Sequence, residues 1–177
     1  MFNQRSAIAI SIATLGAFAC SSPPEEAVLG QFFAAARLRD NTALASFATV
    51  TFEPHIAGIV TEFDVTNVTA ETRTAFTRQA VSEARDDAKT DGLIVRLSMN
   101  IRPDVDLTKY NGQIGSKDLT IEAPVKRPDG GVVRKAMIVV VQRAVLKAEP
   151  EIVGRWIVTG IRDCEECPAE KLRNKSL

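Results

Sequence analysis

The stretch that most constrains this 177-residue chain is Arg127-Pro128-Asp129-Gly130-Gly131. Proline presets the backbone for the first corner of a turn, aspartate bonds to the backbone just beyond itself, and glycine accepts the positive φ that other residues resist. On either side, residues 119–125 and 132–145 are rich in Val, Ile, Leu and Ala. Two such runs joined by so strong a turn predict an antiparallel hairpin, and the rest of the chain has to be arranged around it.

Further strand signals surround that pair. Residues 59–68 alternate, with Ile59, Phe63 and Val65 on one face and Glu62, Asp64 and Thr66 on the other, which predicts a half-buried strand. Residues 93–101 are aliphatic and end at Arg102-Pro103-Asp104. Residues 111–116 hold two glycines and read as a loop. A second reversal around Ala148-Glu149-Pro150 leads to a last strand, Arg155-Trp156-Ile157-Val158-Thr159-Gly160-Ile161. Trp156 and Phe63, each in an alternating run, are expected in the core.

Helical spacing appears in three places. Val28, Leu29, Phe32, Phe33 and Ala36 form a stripe, with Ser22 and Glu25 spaced as a capping box and Pro23 at the first helical position. Asp40, Asn41 and Thr42 restart a shorter helix over residues 43–48, burying Leu44 and Phe47. Thr69 is placed to cap a third helix over residues 70–89, in which Phe76, Ala80, Ala84 and Ala88 repeat every fourth residue and Gly92 provides the stop.

The order is α-α-β-α-β-β-β-β, which defines an α+β domain with helices packed on one face of a curved, mainly antiparallel sheet. That order, the two opening helices and the closing strand Gly154-Arg155-Trp156-Ile157-Val158-Thr159-Gly160-Ile161 resemble the nuclear transport factor 2-like, or cystatin-like, cone fold over residues 24–162. The resemblance implies a small exported binding or accessory domain. Some members of that family are instead isomerases or dehydratases that use an Asp and a His inside the cone.

Hydrophobic content of 45% and charged content of 25% fit one globular domain, placed at residues 25–163. A formal net charge of zero without long basic runs gives no electrostatic footprint for nucleic acid. The basic residues Lys126, Arg127, Arg134 and Lys135 flank the central turn and read as solvated.

The first 19 residues read as an address. Arg5 precedes an uncharged apolar run over residues 7–18, shorter than the ~20 residues a spanning helix needs and suited to a secretory signal. Two outcomes stand at its end. Ala17 and Ala19 fit a general signal-peptidase cut, which leaves Cys20 as a free N-terminal cysteine. Alternatively, Ala17-Phe18-Ala19-Cys20 resembles a bacterial lipoprotein signal, with residues 20–24 as a polar tether. That resemblance implies a lipidated Cys20, a membrane as partner, and an exported protein anchored in the cell envelope, at the outer membrane if the cell is diderm. Three cysteines favour the second outcome, because lipidation of Cys20 leaves Cys164 and Cys167 as an even pair.

Candidate chemistry is sparse. Cys164-Glu165-Glu166-Cys167, opening a polar tail over residues 164–177, suits a tight disulfide in an oxidising compartment. The same spacing serves a dithiol redox site or half of a metal site, but the two intervening glutamates would raise the thiol pKa and a second C-x-x-C is missing from the chain. No metal or cofactor is therefore expected. His55, in a Phe52-Glu53-Pro54-His55 loop, is the only histidine, so any His-dependent acid/base work must use it, with Glu53, Glu62 and Asp64 as possible partners and Asp64 or Glu62 the pair favoured for acid/base chemistry. No nucleophile elbow or phosphate-cradling loop accompanies it. The leading expectation is a non-enzymatic envelope lipoprotein that binds a small apolar ligand or a partner protein; the alternative is a small enzyme using His55.

Overall fold

A computed structural model describes residues 23–76, 100–101, 105, 109–165 and 167. The leader, Cys20, the capping residue Ser22, most of the helix expected over 70–89 and of the strand expected over 93–101, and the tail beyond Cys167 lie outside the described residues.

The hairpin forms, and it is longer than the sequence implies. β4 (Gly112–Lys126) and β5 (Val132–Leu146) pair in register at every position from Gly112 opposite Leu146 to Lys126 opposite Val132. The turn is closed by Arg127 N–H to Gly131 O at 2.7 Å, Gly130 N–H to Arg127 O at 3.0 Å and Gly131 N–H to Asp129 Oδ1 at 2.9 Å, with Gly130 at φ 88°. Strands of 15 residues reach about 50 Å at ~3.4 Å per residue, long enough for twist to accumulate into a curl.

Shorter strands border this pair. β1 (Ile59–Val60), β2 (Asp64–Val68) and β3 (Thr72–Phe76) succeed one another along the free edge of β4, all antiparallel to it, with a register shift between Val65 and Asn67. On the other side, β6 (Ile152–Val153) pairs with the end of β5 and β7 (Ile157–Asp163) with its middle.

Period-two alternation makes one face of the hairpin the core. Leu119, Ile121, Ala123 and Val125 of β4 and Met137, Val139 and Val141 of β5 are buried on it. Against this face packs α1 (Pro24–Leu38), burying Val28, Leu29, Phe32, Phe33 and Ala36. Phe32, Phe33 and Phe52 meet edge-to-face with ring centroids 5.3–6.3 Å apart, and Phe63 lies 5.7 Å from Phe33. α2 (Asn41–Phe47) adds Leu44, and Asp40 caps it by accepting Ala43 N–H at 2.9 Å. A one-turn α3 (Pro54–Ala57) stands where a loop around His55 is expected; Pro54 suits a helix start, and Gly58 at φ 93° ends it. On the opposite sheet face, Ile101, Ala144, Leu146 and Ile157 form a smaller cluster with Tyr110, Ile114 and Ile152. The α+β class, with the helices laid on one face of a curled antiparallel sheet, is as the sequence predicts.

Three local expectations are corrected. The N-cap of α1 is Pro23, which has no side-chain acceptor, and Glu25 bonds to Lys117 on β4 instead of reaching back to the helix start. Thr72–Phe76 is strand, not the beginning of a helix. Thr69 does not cap a helix: its Oγ1 accepts Asp118 N–H at 2.9 Å and its N–H donates to Asp118 O at 3.0 Å, pinning the edge to β4. The helical repeat rests on Ala80, Ala84 and Ala88, which lie outside the described residues, whereas Thr72 and Thr74 suit the strand they occupy. Residues 112–116 are strand rather than loop, because both glycines are held between β3 and β5.

α1 ends in a Schellman closure: Asp40 N–H bonds to Ala35 O at 3.0 Å and Arg39 N–H to Ala36 O at 3.1 Å, with Arg39 left-handed at φ 56°. A β-carbon costs ~1 kcal/mol in that conformation. Arg39→Gly is therefore expected to raise unfolding stability by about 1 kcal/mol, read as a higher urea midpoint with unchanged slope.

Candidate functional site

Two places gather polar side chains against the apolar interior. The first follows from strand register. Arg73 of β3, Gly115 of β4 and Arg143 of β5 form one row across the sheet. They lie on the face that, two residues further along β4, carries Lys117 and then the core residues Leu119 and Ile121. Trp156, just ahead of β7, is buried beside this row. The Arg143 guanidinium stacks 4.3 Å from its ring centroid and Lys117 Nζ lies at 5.3 Å, so one indole faces two cations. Carboxylates complete the set: Glu25 bonds to Lys117, Glu71 to Arg143, and Arg73 joins Glu71 at 3.2 Å and Glu151 at 3.2 Å.

Gly115 makes this arrangement possible. A β-carbon there would stand 2.3 Å from Glu71 Oε1, in the space the carboxylate needs to reach Arg143 across β4. Burial pushes the carboxyls of Glu25 and Glu71 up, but the hydrogen bonds and positive charges of Lys117 and Arg143 outweigh it and hold both below the ordinary glutamate range. Arg143 Nε is buried without a hydrogen-bond partner, a cost set against the cation–π contact. Three cations meet three carboxylates, so the cluster is charge-balanced and ties β3, β4, β5, α1 and the Trp156 segment together. It reads as a structural lock.

The second place is an open groove of about 430 Å³ at the C-terminal end of α1. Ala36, Leu44, Ala48, Val50 and Phe52 line it, and Arg39, Asn41, Thr49, Thr51, Glu53 and His55 add the polar part. A further groove of about 380 Å³ lies on the other side of residues 51–53, toward Ile56, Met137 and Ile161. His55 stands on the rim, with its side chain 61% exposed and Nε2 3.3 Å from Glu53 Oε2. Asp64 pairs instead with Arg134 at 3.4 Å, and Glu62 is exposed without an ion-pair partner among the described residues. His55 is thus brought together with Glu53, and with neither Asp64 nor Glu62.

Cys164 and Cys167 are joined at disulfide distance, S–S 1.99 Å with Cα atoms 5.4 Å apart, where Cys164 N–H bonds to Ala136 O and extends the pairing of β7. Among the described residues, no group of three or more His, Cys, Asp or Glu side chains stands ready to hold a metal ion. No described helix is long and apolar enough to cross a membrane. Trp156 is in the core and Phe63 packs against it, as expected. Of the basic residues flanking the turn, Arg134 pairs with Glu122 and Asp64, and Lys135 with Asp163 at 3.8 Å. No protein-family model, no curated protein and no solved structure matches this chain.

The sequence pattern marks neither the charge lock nor the groove as a site. The lock does leave a trace: Gly115 and Lys117 on β4, and Arg143 on β5, fall at inward positions of otherwise apolar alternation.

Two outcomes test the lock. Gly115→Ala is expected to destabilise by about 1–3 kcal/mol through the displaced Glu71 carboxylate, and to cost much less in a Glu71→Ala background, as a double-mutant cycle in urea would read. Because both folded carboxyls titrate below their unfolded values, their contribution is complete above the ordinary glutamate range and is lost as pH falls through the folded values. The urea midpoint is therefore expected to drop on acidification from about pH 6 to about pH 3, with a shallower fall in a Glu25→Gln/Glu71→Gln double variant.

Proposed function

We propose that this chain is a non-enzymatic cell-envelope lipoprotein, exported by its leader and anchored through lipid on Cys20, whose cone-like domain binds a small apolar ligand. The observation that carries the reading is the standing of the three cysteines. Cys164 and Cys167 are taken up by each other, which leaves Cys20, at the boundary between apolar leader and polar tether, as the odd thiol. Acyl chains bury about 0.8 kcal/mol per methylene, so lipidation with two or more chains anchors stably.

The placement of the groove supports the same reading. α1 begins at Pro24, four residues after Cys20, and its 15 residues carry the chain about 22 Å to Ala36 and Arg39 on the groove wall. A domain held at Cys20 therefore presents the groove at the far end of that helix from its anchor. His55, on the rim and paired with Glu53, fits a binding wall better than an acid/base centre. The sequence resemblance to the nuclear transport factor 2-like cone, whose members are often small exported binding domains, points the same way.

Expression of the full chain in a bacterium with a labelled fatty acid tests the anchor. Wild-type protein is expected to take up label and to partition with membranes, and Cys20→Ser to do neither. A Cys20→Ser protein that still sediments with membranes at the wild-type mass would defeat the proposal.

A further inference from the structure

We infer that the groove between α1, α2 and α3 is a binding site for an alkyl carboxylate, with Arg39 receiving the carboxylate and the apolar floor receiving the chain. This rests on the binding role proposed above and names the ligand class. The floor is aliphatic and small, with Ala36, Leu44, Ala48 and Val50 beside the single ring of Phe52, so it accommodates a methylene chain rather than a stacked ring. Sites of this kind are concave, mainly apolar, and carry a few polar groups that fix orientation; a volume of about 430 Å³ falls within their usual span.

The sign of the head group follows from which charges on the wall are already engaged. Glu53, the acidic side chain on the groove wall, has His55 Nε2 at 3.3 Å, a contact that engages its charge when the imidazole is protonated. The carboxylate of Asp40, next to Arg39 in sequence, accepts the Ala43 N–H that begins α2 and does not line the groove. Among the described residues Arg39 has no ion-pair partner, like Arg37, Lys126, Arg127, Lys147 and Arg155, and of these it is the one that lines the groove. A guanidinium offers a fork of donors that matches a carboxylate.

The backbone adds an independent observation. Arg39 occupies the left-handed position of a Schellman closure, where glycine is the easier residue. The chain therefore carries a costly side chain at a turn on the groove wall, as expected where a binding group is kept at the expense of stability.

The test uses the full chain carrying Cys20→Ser, which keeps protein-linked acyl groups out of the assay. Octanoate, 1-octanol and octylammonium are titrated by calorimetry, and amide shifts locate the site. Octanoate is expected to bind with shifts at Leu44, Ala48 and Phe52, 1-octanol at least ~10-fold more weakly through loss of the charge-assisted contact, and octylammonium not at all. Arg39→Gly is expected to keep or raise the melting temperature and to lose at least ~10-fold in octanoate affinity, so that loss of binding is separated from loss of fold. Octanol binding in the groove as tightly as octanoate, or undiminished octanoate binding in Arg39→Gly, would overturn the carboxylate assignment while leaving an apolar-ligand site standing. Absence of binding by both octanoate and octanol would overturn the assignment and the small-ligand role together.

Discussion

The rest of the structure depends on the continuous pairing of β4 with β5. Fifteen residues on each strand meet without a break, and every other element is attached to this ribbon rather than to a sheet of equal partners. The register decides which side chains face inward. Leu119, Ile121, Ala123 and Val125 turn to α1 together with Met137, Val139 and Val141, and a slip by one residue would turn all of them outward. The same register carries past the apolar core to Gly115, Lys117 and Arg143, so the charge lock continues the core face by other means. Long-range contacts hold this domain, since Glu25, Glu71, Lys117, Arg143 and Trp156 come from five separated stretches of chain.

Much of the architecture is legible in the sequence because its strongest signals are local. Pro128, Asp129, Gly130 and Gly131 specify a turn through their own backbone preferences, and the helix-period stripe from Val28 to Ala36 specifies a buried face. What is not legible depends on partners distant in sequence. Residues 112–116 look like a loop because glycine is a poor strand former, yet Gly115 is paired on both sides in β4, and the Glu71 carboxylate occupies the space its missing β-carbon leaves. Thr69 looks like a helix cap because its hydroxyl is a good acceptor, and it is one, but for Asp118 N–H across the sheet. Both readings identify the chemistry of the residue correctly and assign it the wrong partner.

The candidate sites divide along the same line. Cys164 and Cys167 are close in sequence and meet as their spacing suggests. His55 is conspicuous as the sole histidine, but conspicuous composition does not supply a partner: Asp64 is drawn to Arg134 by the pairing of β2 with β4, leaving Glu53 as the neighbour two residues away. The groove is invisible in the sequence because its floor is assembled from the ordinary apolar residues of two helices and the connection after them. Its polar groups are likewise unremarkable until Arg39 is seen in a left-handed turn.

The outer edge of the sheet carries a consequence of its own. Where β4 could have had one long neighbour, it has three short ones, interrupted between Val60 and Asp64, shifted at Val65, and interrupted again before Thr72. Among the described residues, no run on that edge exceeds five residues. On the opposite edge, Thr49 N–H already occupies the carbonyl of Val158 in β7 at 2.8 Å. A fifteen-residue ribbon would be a hazard if bare, since an unpaired strand of that length templates the addition of another chain. Among the described residues, the broken borders leave a second copy no extended register to share.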